Sequence, residues 1–263
     1  MRGPIWITGA GRGIGRALAL RLAREGLTVI ASARTAGDLQ ALVRDAESLP
    51  GRILPEPLDV TDREACAGVL ARLEAAEGLP EIVVLNAGSH QPMPAARFDA
   101  TVFDRLYAIN VGGVVNGLAA VVPRFVARRR GRIAVVASVA GYVGLPTAAA
   151  YSGTKAGLIA VCESLRPDLA QFGVTVQVIS PGFVKTPLTD RNEFPMPFLM
   201  EADAAADRIA KGLESDRFEI TFPRRLSWLL KVLRVLPHPL KFMLTKGAIP
   251  DDAKPAALKE SGS

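Results

Sequence analysis

The chain reads as an α/β protein on a single doubly wound parallel sheet, with a helical extension at its C-terminal end. Three observations carry that reading. Short apolar runs recur at Ile5–Ile7, Thr28–Ala33, Ile82–Leu85, Ile133–Val136 and Val174–Ile179, as strands buried on both faces require. Each is followed by a segment of helical periodicity, and no region consists of strands alone. The residues able to do chemistry collect where those runs end, which in an open parallel sheet is the ligand crevice.

The first strand ends at Thr8 and leads into Thr-Gly-Ala-Gly-Arg-Gly-Ile-Gly, with Gly9, Gly11, Gly13 and Gly15. A helical pattern follows, with Leu18, Ala19 and Leu22 at helical spacing and Gly26 as its stop. Strand, glycine turn and helix is the context in which backbone N–H groups cradle a pyrophosphate. The plainer alternative is a turn whose glycines only relieve crowding. The second strand closes on small, neutral Ser32 and Ala33, followed by Arg34. An acid there would bind a ribose 2′-hydroxyl and repel a 2′-phosphate, whereas a guanidinium clamps the phosphate. Arg12 in the glycine loop can approach from the other side, so the pattern favours NADP(H) over NAD(H).

A helix over Gly37–Ser48 and a third strand near Ile53–Leu58 come next, ending at Asp59-Val60. Thr61 and Glu64 have the spacing of a capping box for the following helix. Ile82–Leu85 ends in Asn86-Ala87-Gly88, small residues suited to close approach by a ligand. Phe103–Val122 is helical and carries Asn110, whose amide needs hydrogen-bond partners in so apolar a setting. Arg128, Arg129, Arg130 and Arg132 read as solvated cations at that helix's end, with no chemistry assigned.

Ile133–Val136 delivers Ser138, and a helix opening near Thr147 places Tyr151 and Lys155 one turn apart on one face. A tyrosine titrates near pH 10 unperturbed, and a nearby fixed cation pulls it towards working pH. Taken alone, the pair could equally be a half-buried Tyr and a solvated Lys. The sixth strand runs into Ser180, Pro181 and Gly182.

These elements in this order resemble the short-chain dehydrogenase/reductase family, over roughly Ile5 to Thr186. The resemblance implies a Rossmann-type fold in one domain over 1–250 and an NADP-preferring carbonyl reductase. It implies that Tyr151 is the general acid/base, Lys155 its pKa-lowering partner and a ribose ligand, Ser138 the holder of the substrate oxygen, and Asn110 the anchor of a proton-relay water. Gly9, Gly13, Gly15 and Ile14 would line the diphosphate, Asp59 and Val60 the adenine, and Asn86, Ala87 and Gly88 the ribose side. Pro181, Gly182, Val184 and Thr186 would meet the nicotinamide end. A homo-oligomer, a dimer in its simplest form, is also implied. Pro167, inside the helix that carries Tyr151, should kink it and disturb such an interface.

Beyond Thr186 the segment 188–201 is rich in Phe and Met and is expected to form an apolar lid over the substrate. Residues 224–247 should form a basic amphipathic helical segment, interrupted by Pro237 and Pro239, that could contact a membrane, the substrate cleft or a partner subunit. The formal charge of +6 sits there: Arg217–Lys246 carries seven basic residues against Glu219, and the other 25 basic and 25 acidic residues cancel. That distribution argues against a broad nucleic-acid footprint. Residues 251–263 are expected to be a disordered tail.

Two cysteines and two histidines argue against a disulfide framework, a metal site or a histidine-based triad. The N-terminus lacks a signal-peptide pattern, and no uninterrupted apolar run reaches the roughly 20 residues of a membrane span. The expected location is cytoplasmic, with membrane association through 224–247 as the variant. Two other functions compete with the carbonyl reductase reading. One is a 3-oxoacyl thioester reductase of fatty-acid type. The other is a non-catalytic dinucleotide-sensing regulator, disfavoured because Asn110, Ser138, Tyr151 and Lys155 are all present.

Overall fold

Alternate residues of the central strands point into two different cores. Ile5 and Ile7 enter one and Trp6 the other, and Val84 and Val83 divide in the same way. A pleated strand buried on both faces must do this, because successive side chains leave on opposite sides. The computed structural model describes residues 3–191, 196–247 and 249. Its strands are β1 (Ile5–Thr8), β2 (Thr28–Ala33), β3 (Arg52–Pro57), β4 (Ile82–Leu85), β5 (Gly131–Val136), β6 (Val174–Pro181) and β7 (Glu219–Phe222). They form one parallel sheet in the order β3-β2-β1-β4-β5-β6-β7. The direction of winding reverses between β1 and β4, and a crevice opens there at the strand C-termini.

The helices are α1 (Gly13–Arg24), α2 (Ala36–Asp45), α3 (Arg63–Ala76), α4 (Ala100–Tyr107), α5 (Gly113–Arg128), α6 (Ala149–Ala170), α7 (Ala202–Leu213), α8 (Arg224–Val235) and α9 (His238–Lys246). Side chains of α1, α2 and α7 fill the core on one face of the sheet, and those of α3, α5, α6 and α8 fill the other. Trp6 is fully buried, and its indole N–H donates to Ser32 Oγ at 2.9 Å. An unpaired N–H at that depth would cost about 1–3 kcal/mol.

Several expectations need correction. The cap of α3 is Asp62, whose carboxylate accepts from the Ala65 N–H at 2.9 Å; Thr61 instead donates to Asp59. Aspartate one position later satisfies the same free donors, so the capping box is not used. The helix around Asn110 is longer than the periodicity suggested, because a π-helical turn at Ala108–Gly112 joins α4 to α5. That joined helix, Ala100–Arg128, is long and apolar enough to cross a membrane, but half of its most apolar window is buried within the protein.

The arginines after it are not simply solvated. Arg128 donates to the Leu79 and Pro80 carbonyls, Arg130 to Glu81, and Arg132 to the Ser215 carbonyl and Asp216. They fasten the edge of the sheet opposite the crevice. Pro167 does not end α6, which continues to Ala170. Pro167 and Glu163, whose carbonyl loses its partner, are both exposed, so water can take that bond.

The seventh strand and α7 went unread in the sequence, being short and weakly patterned. The expected lid is also different. Phe194 lies outside the described residues, and Phe198 and Leu199 face solvent. Met200 is stitched to the end of β6 through Lys185 N–H and its own N–H to Phe183 O, at 2.9 and 3.0 Å. Residues 251–263 lie outside the described residues.

Candidate active site

The crevice between β1 and β4 is a cleft of about 280 Å³, floored by the glycine loop. Gly9 and Gly13 have φ of +68° and +58°, values that an L side chain strains to adopt. Close packing fixes two glycines as well. A Cβ on Gly15 would lie 2.4 Å from Gly9 O, and one on Gly9 would lie 2.7 Å from Ala87 Cα. The loop therefore lies directly on the end of β4. α1 starts at Gly13 with no side-chain cap. Its first N–H groups are left to face the cleft, as an anionic group requires. The cradle fits a dinucleotide.

Asn86 holds that approach in place. Its Nδ2 donates to Thr8 O and Gly9 O, both at 3.0 Å, while Thr8 Oγ1 accepts from the N–H groups of Asn86 and Ala87. Its amide thus serves the loop first, and only the rest of the residue faces the cleft. Asn110, fully buried, is held similarly. Its Oδ1 accepts from Ser89 N–H at 2.7 Å, and its Nδ2 donates to Ser89 O and Thr154 Oγ1 at 3.0 and 3.1 Å. The π-helical turn lets Asn110 point across to the β4 end instead of along its own helix.

Ser138, just past β5, caps a short turn: its Oγ accepts from Ala140 N–H at 3.1 Å and donates to Pro181 O at 3.3 Å. Tyr151 stands in the first turn of α6, its phenol beside the Ser138 side chain. Lys155, one turn on, is 4% exposed and donates to Val136 O at 2.8 Å. Its Nζ sits 5.6 Å from the centre of the Tyr151 ring.

The expected drop in the phenol pKa is not found. Burial pushes Tyr151 above its ordinary value, and the Ser138 side chain only partly opposes this. Lys155 itself is lowered to about 8, because its ammonium is buried without a carboxylate partner. Near neutrality it stays charged in most molecules, but at a cost. Lys155 Nζ and Asn110 Oδ1 converge on one spot: a Cβ on Gly88 would lie 3.5 and 3.3 Å from them.

At the far end of the cleft lie Arg12, Arg34, Asp59 and Val60, as expected. Asp59 accepts from Thr61 N–H and Oγ1, which with Arg34 hold its carboxyl below the usual range. Asp38, on α2, lines the same end and was missed, because its helical spacing marks it only as a surface residue. Ser32 is not in the cleft: the alternation of β2 turns it into the core against Trp6. Gly15 and Asn110 support the walls without lining them, while Ile14, Ala87, Pro181, Gly182, Val184 and Thr186 do line the cleft. Its lip is formed by Pro187, Leu188 and Thr189. His90 was also missed; it is buried with its ring 4.6 Å from that of Tyr151. No group of three or more metal-ligating side chains is found among the described residues.

A family model described as short chain dehydrogenase matches residues 4–194. The chain is 42% identical over 234 residues to an uncharacterized oxidoreductase of Myxococcus xanthus, covering 89% of this chain and 92% of that protein. It is similar to the structure of a short-chain dehydrogenase from Sphingobium yanoikuyae in complex with NADPH, with a TM-score of 0.77 and 26% identity over 90% of this chain and 97% of the other. A 3-oxoacyl-[acyl-carrier protein] reductase from Brucella melitensis with bound NAD is similar as well, with a TM-score of 0.74 and 27% identity over 84% and 89%. The chain belongs to the short-chain dehydrogenase family and is an oxidoreductase of that type.

Two outcomes follow from this geometry. With the lysine near 10.5 unfolded and about 8 folded, the unfolded chain binds more protons between those values, so this group's contribution to stability rises with pH there. Lys155→Met should be more stable than wild type by about 2 kcal/mol near pH 7, allowing for the lost bond to Val136. The gap should narrow by about 1 kcal/mol towards pH 9. Urea unfolding at the two pH values checks both; a destabilised variant with a constant gap would refute the cost assigned to the charge. Gly15→Ala should destabilise by about 1–3 kcal/mol and weaken dinucleotide binding. Gly37→Ala, with nothing within 4 Å of its new Cβ, serves as the neutral control.

Proposed function

We propose that the protein is an NADP(H)-dependent oxidoreductase interconverting a carbonyl and an alcohol on an apolar substrate, with Tyr151 as the general acid/base. The observation that carries this reading is the convergence of Ser138, Tyr151 and Lys155 on one wall of the cleft, with the cradle for a dinucleotide beside it. The nicotinamide, when bound, supplies or accepts the hydride.

The chain's own residues do the rest. Ser138 and Tyr151 hydrogen-bond the substrate oxygen, and in reduction Tyr151 passes its proton to that oxygen. Burial keeps the phenol protonated at neutral pH, the form that reduction consumes. Lys155 reaches the ribose and, with Asn110, returns the proton through the gap beside Gly88. The N-terminus of α1, with Gly9, Gly13 and Ile14, would hold the pyrophosphate. Asp59 and Val60 would border the adenine, and Asn86 its ribose. Val184 and Thr186 would meet the nicotinamide amide. Pro187 and Leu188 give the lip its apolar character. The two free, buried cysteines suit a reducing, cytoplasmic setting, and a dimer is the assembly the family resemblance favours.

The preference for NADP(H) rests on Arg12 and Arg34 flanking a strand end without an acid. Asp38 works against it, so the preference is a balance of nearby charges. Likeness to the Brucella reductase favours a second reading, reduction of 3-oxoacyl thioesters. Assaying aldehydes, ketones and 3-oxoacyl thioesters of graded length against NADPH oxidation separates the two.

Tyr151→Phe should lower kcat by at least about 10²-fold while dinucleotide binding, followed by fluorescence titration, persists. Near-normal turnover would end the assignment. Arg34→Ala should weaken NADPH binding about 10-fold or more and leave NADH nearly unchanged, and Asp38→Asn should move the ratio the opposite way. Equal effects on both cofactors would place Arg34 outside the phosphate site.

A further inference from the structure

Eight of the fourteen large apolar side chains exposed among the described residues lie within α8 and α9. α8 is two-sided. Leu226, Ser227 and Leu230 are buried; Ser227 Oγ is 2.6 Å from Thr221 Oγ1, and Lys231 is paired with Glu219, which also accepts from the Tyr142 hydroxyl. These contacts fix its orientation on β7. The opposite side presents Trp228, 69% exposed, with Leu229, Val232 and Val235. α9 has no buried residue at all, and its Phe242, Met243 and Leu244 are each more than half exposed. An apolar helical face of this extent normally has a partner.

The charges say which kind. No acidic residue occurs between Glu219 and Asp251. Arg224, Arg225, Arg234, Lys241 and Lys246 lie on the same two helices, and none has an ion pair among the described residues. A second copy docked face to face would bring two such basic sets together and be repelled. A surface that is apolar beneath and negatively charged at its boundary satisfies both features.

We propose that α8 and α9 seat the protein on an anionic lipid surface, with Trp228, Val232 and Phe242 in the acyl boundary and the basic side chains among the headgroups. α8 begins against Gly182, where a Cβ would lie 2.9 Å from Leu226 Cδ2, so the buried side of the seating helix packs on the wall of the cleft.

The chain carries its own probe. Trp6 is fully buried and Trp228 exposed, so a change in tryptophan emission on adding vesicles reports Trp228. Full-length protein mixed with phosphatidylglycerol vesicles at low salt should co-sediment and show a blue shift, and with phosphatidylcholine vesicles it should do neither. Raising the salt to about 1 M, where the Debye length falls to roughly 3 Å, should release most of it. Arg224→Gln with Arg225→Gln should lower partitioning about 25-fold, at roughly fivefold per charge. Trp228→Glu with Phe242→Glu should abolish binding while turnover of a small carbonyl substrate in vesicle-free buffer is unchanged. Equal binding to both lipids, or none to phosphatidylglycerol, would overturn the proposal. So would a vesicle-free dimer, seen by sedimentation velocity, that the Trp228→Glu and Phe242→Glu variant dissociates.

Discussion

The contact between the glycine loop and the end of β4 is the constraint on which the site depends. One asparagine side chain, Asn86, donates to two successive carbonyls, Thr8 and Gly9, and Thr8 returns the support to the β4 backbone. The loop can come this close only because Gly9 and Gly15 have no Cβ to collide with Ala87 and Gly9 O. The contact lies where the sheet reverses its winding, so there is room above it. The start of α1 then faces that space with uncapped N–H groups. Backbone geometry alone thus prepares a place for phosphate before any charged side chain is considered.

The other wall is organised on a different principle. Lys155 is buried with one carbonyl as its polar partner and no opposing carboxylate, and its pKa falls accordingly. Tyr151 next to it is pushed the other way by the same burial. Burial thus drives the two proton affinities apart, leaving the phenol protonated near neutrality and the ammonium the easier of the two to deprotonate, a separation that suits acid–base work. The arrangement costs stability, and the well-packed cores on both faces of the sheet offset it.

Around the far end of the cleft, function is a matter of balance. Arg12 and Arg34 line it together with Asp38, and Asp59 lies close enough to Arg34 to feel its charge. Neighbouring proteins of the same fold are described with either dinucleotide bound, consistent with a selectivity set by a few peripheral charges and not by the fold. At the C-terminal end, α8 shows how one helix can serve two environments. Leu226 and Leu230 complete the core while Trp228 and Val232 face outward.

Much of this was written in the sequence. The glycine spacing, the five apolar runs and the Tyr151–Lys155 pair are local patterns, and local sterics and periodicity decide strands, turns and helix faces. Asn86 and Ser138 could be placed near the crevice because each follows a strand, whereas Asn110, read by itself, was a satisfied core residue and joined the site only through the family resemblance. What remained hidden depended on distance in the chain. Ser32, on the face of β2 that carries Ile30, turns into the core and accepts there from Trp6, 26 residues earlier. Asp38 and His90 joined the site only through the packing of α2 and of the β4 loop, and β7 was too short to show a period. The direction of the Tyr151 shift could not be read from its spacing to Lys155. Spacing reports which groups are neighbours, whereas burial, a property of the whole fold, decides how much each charge costs.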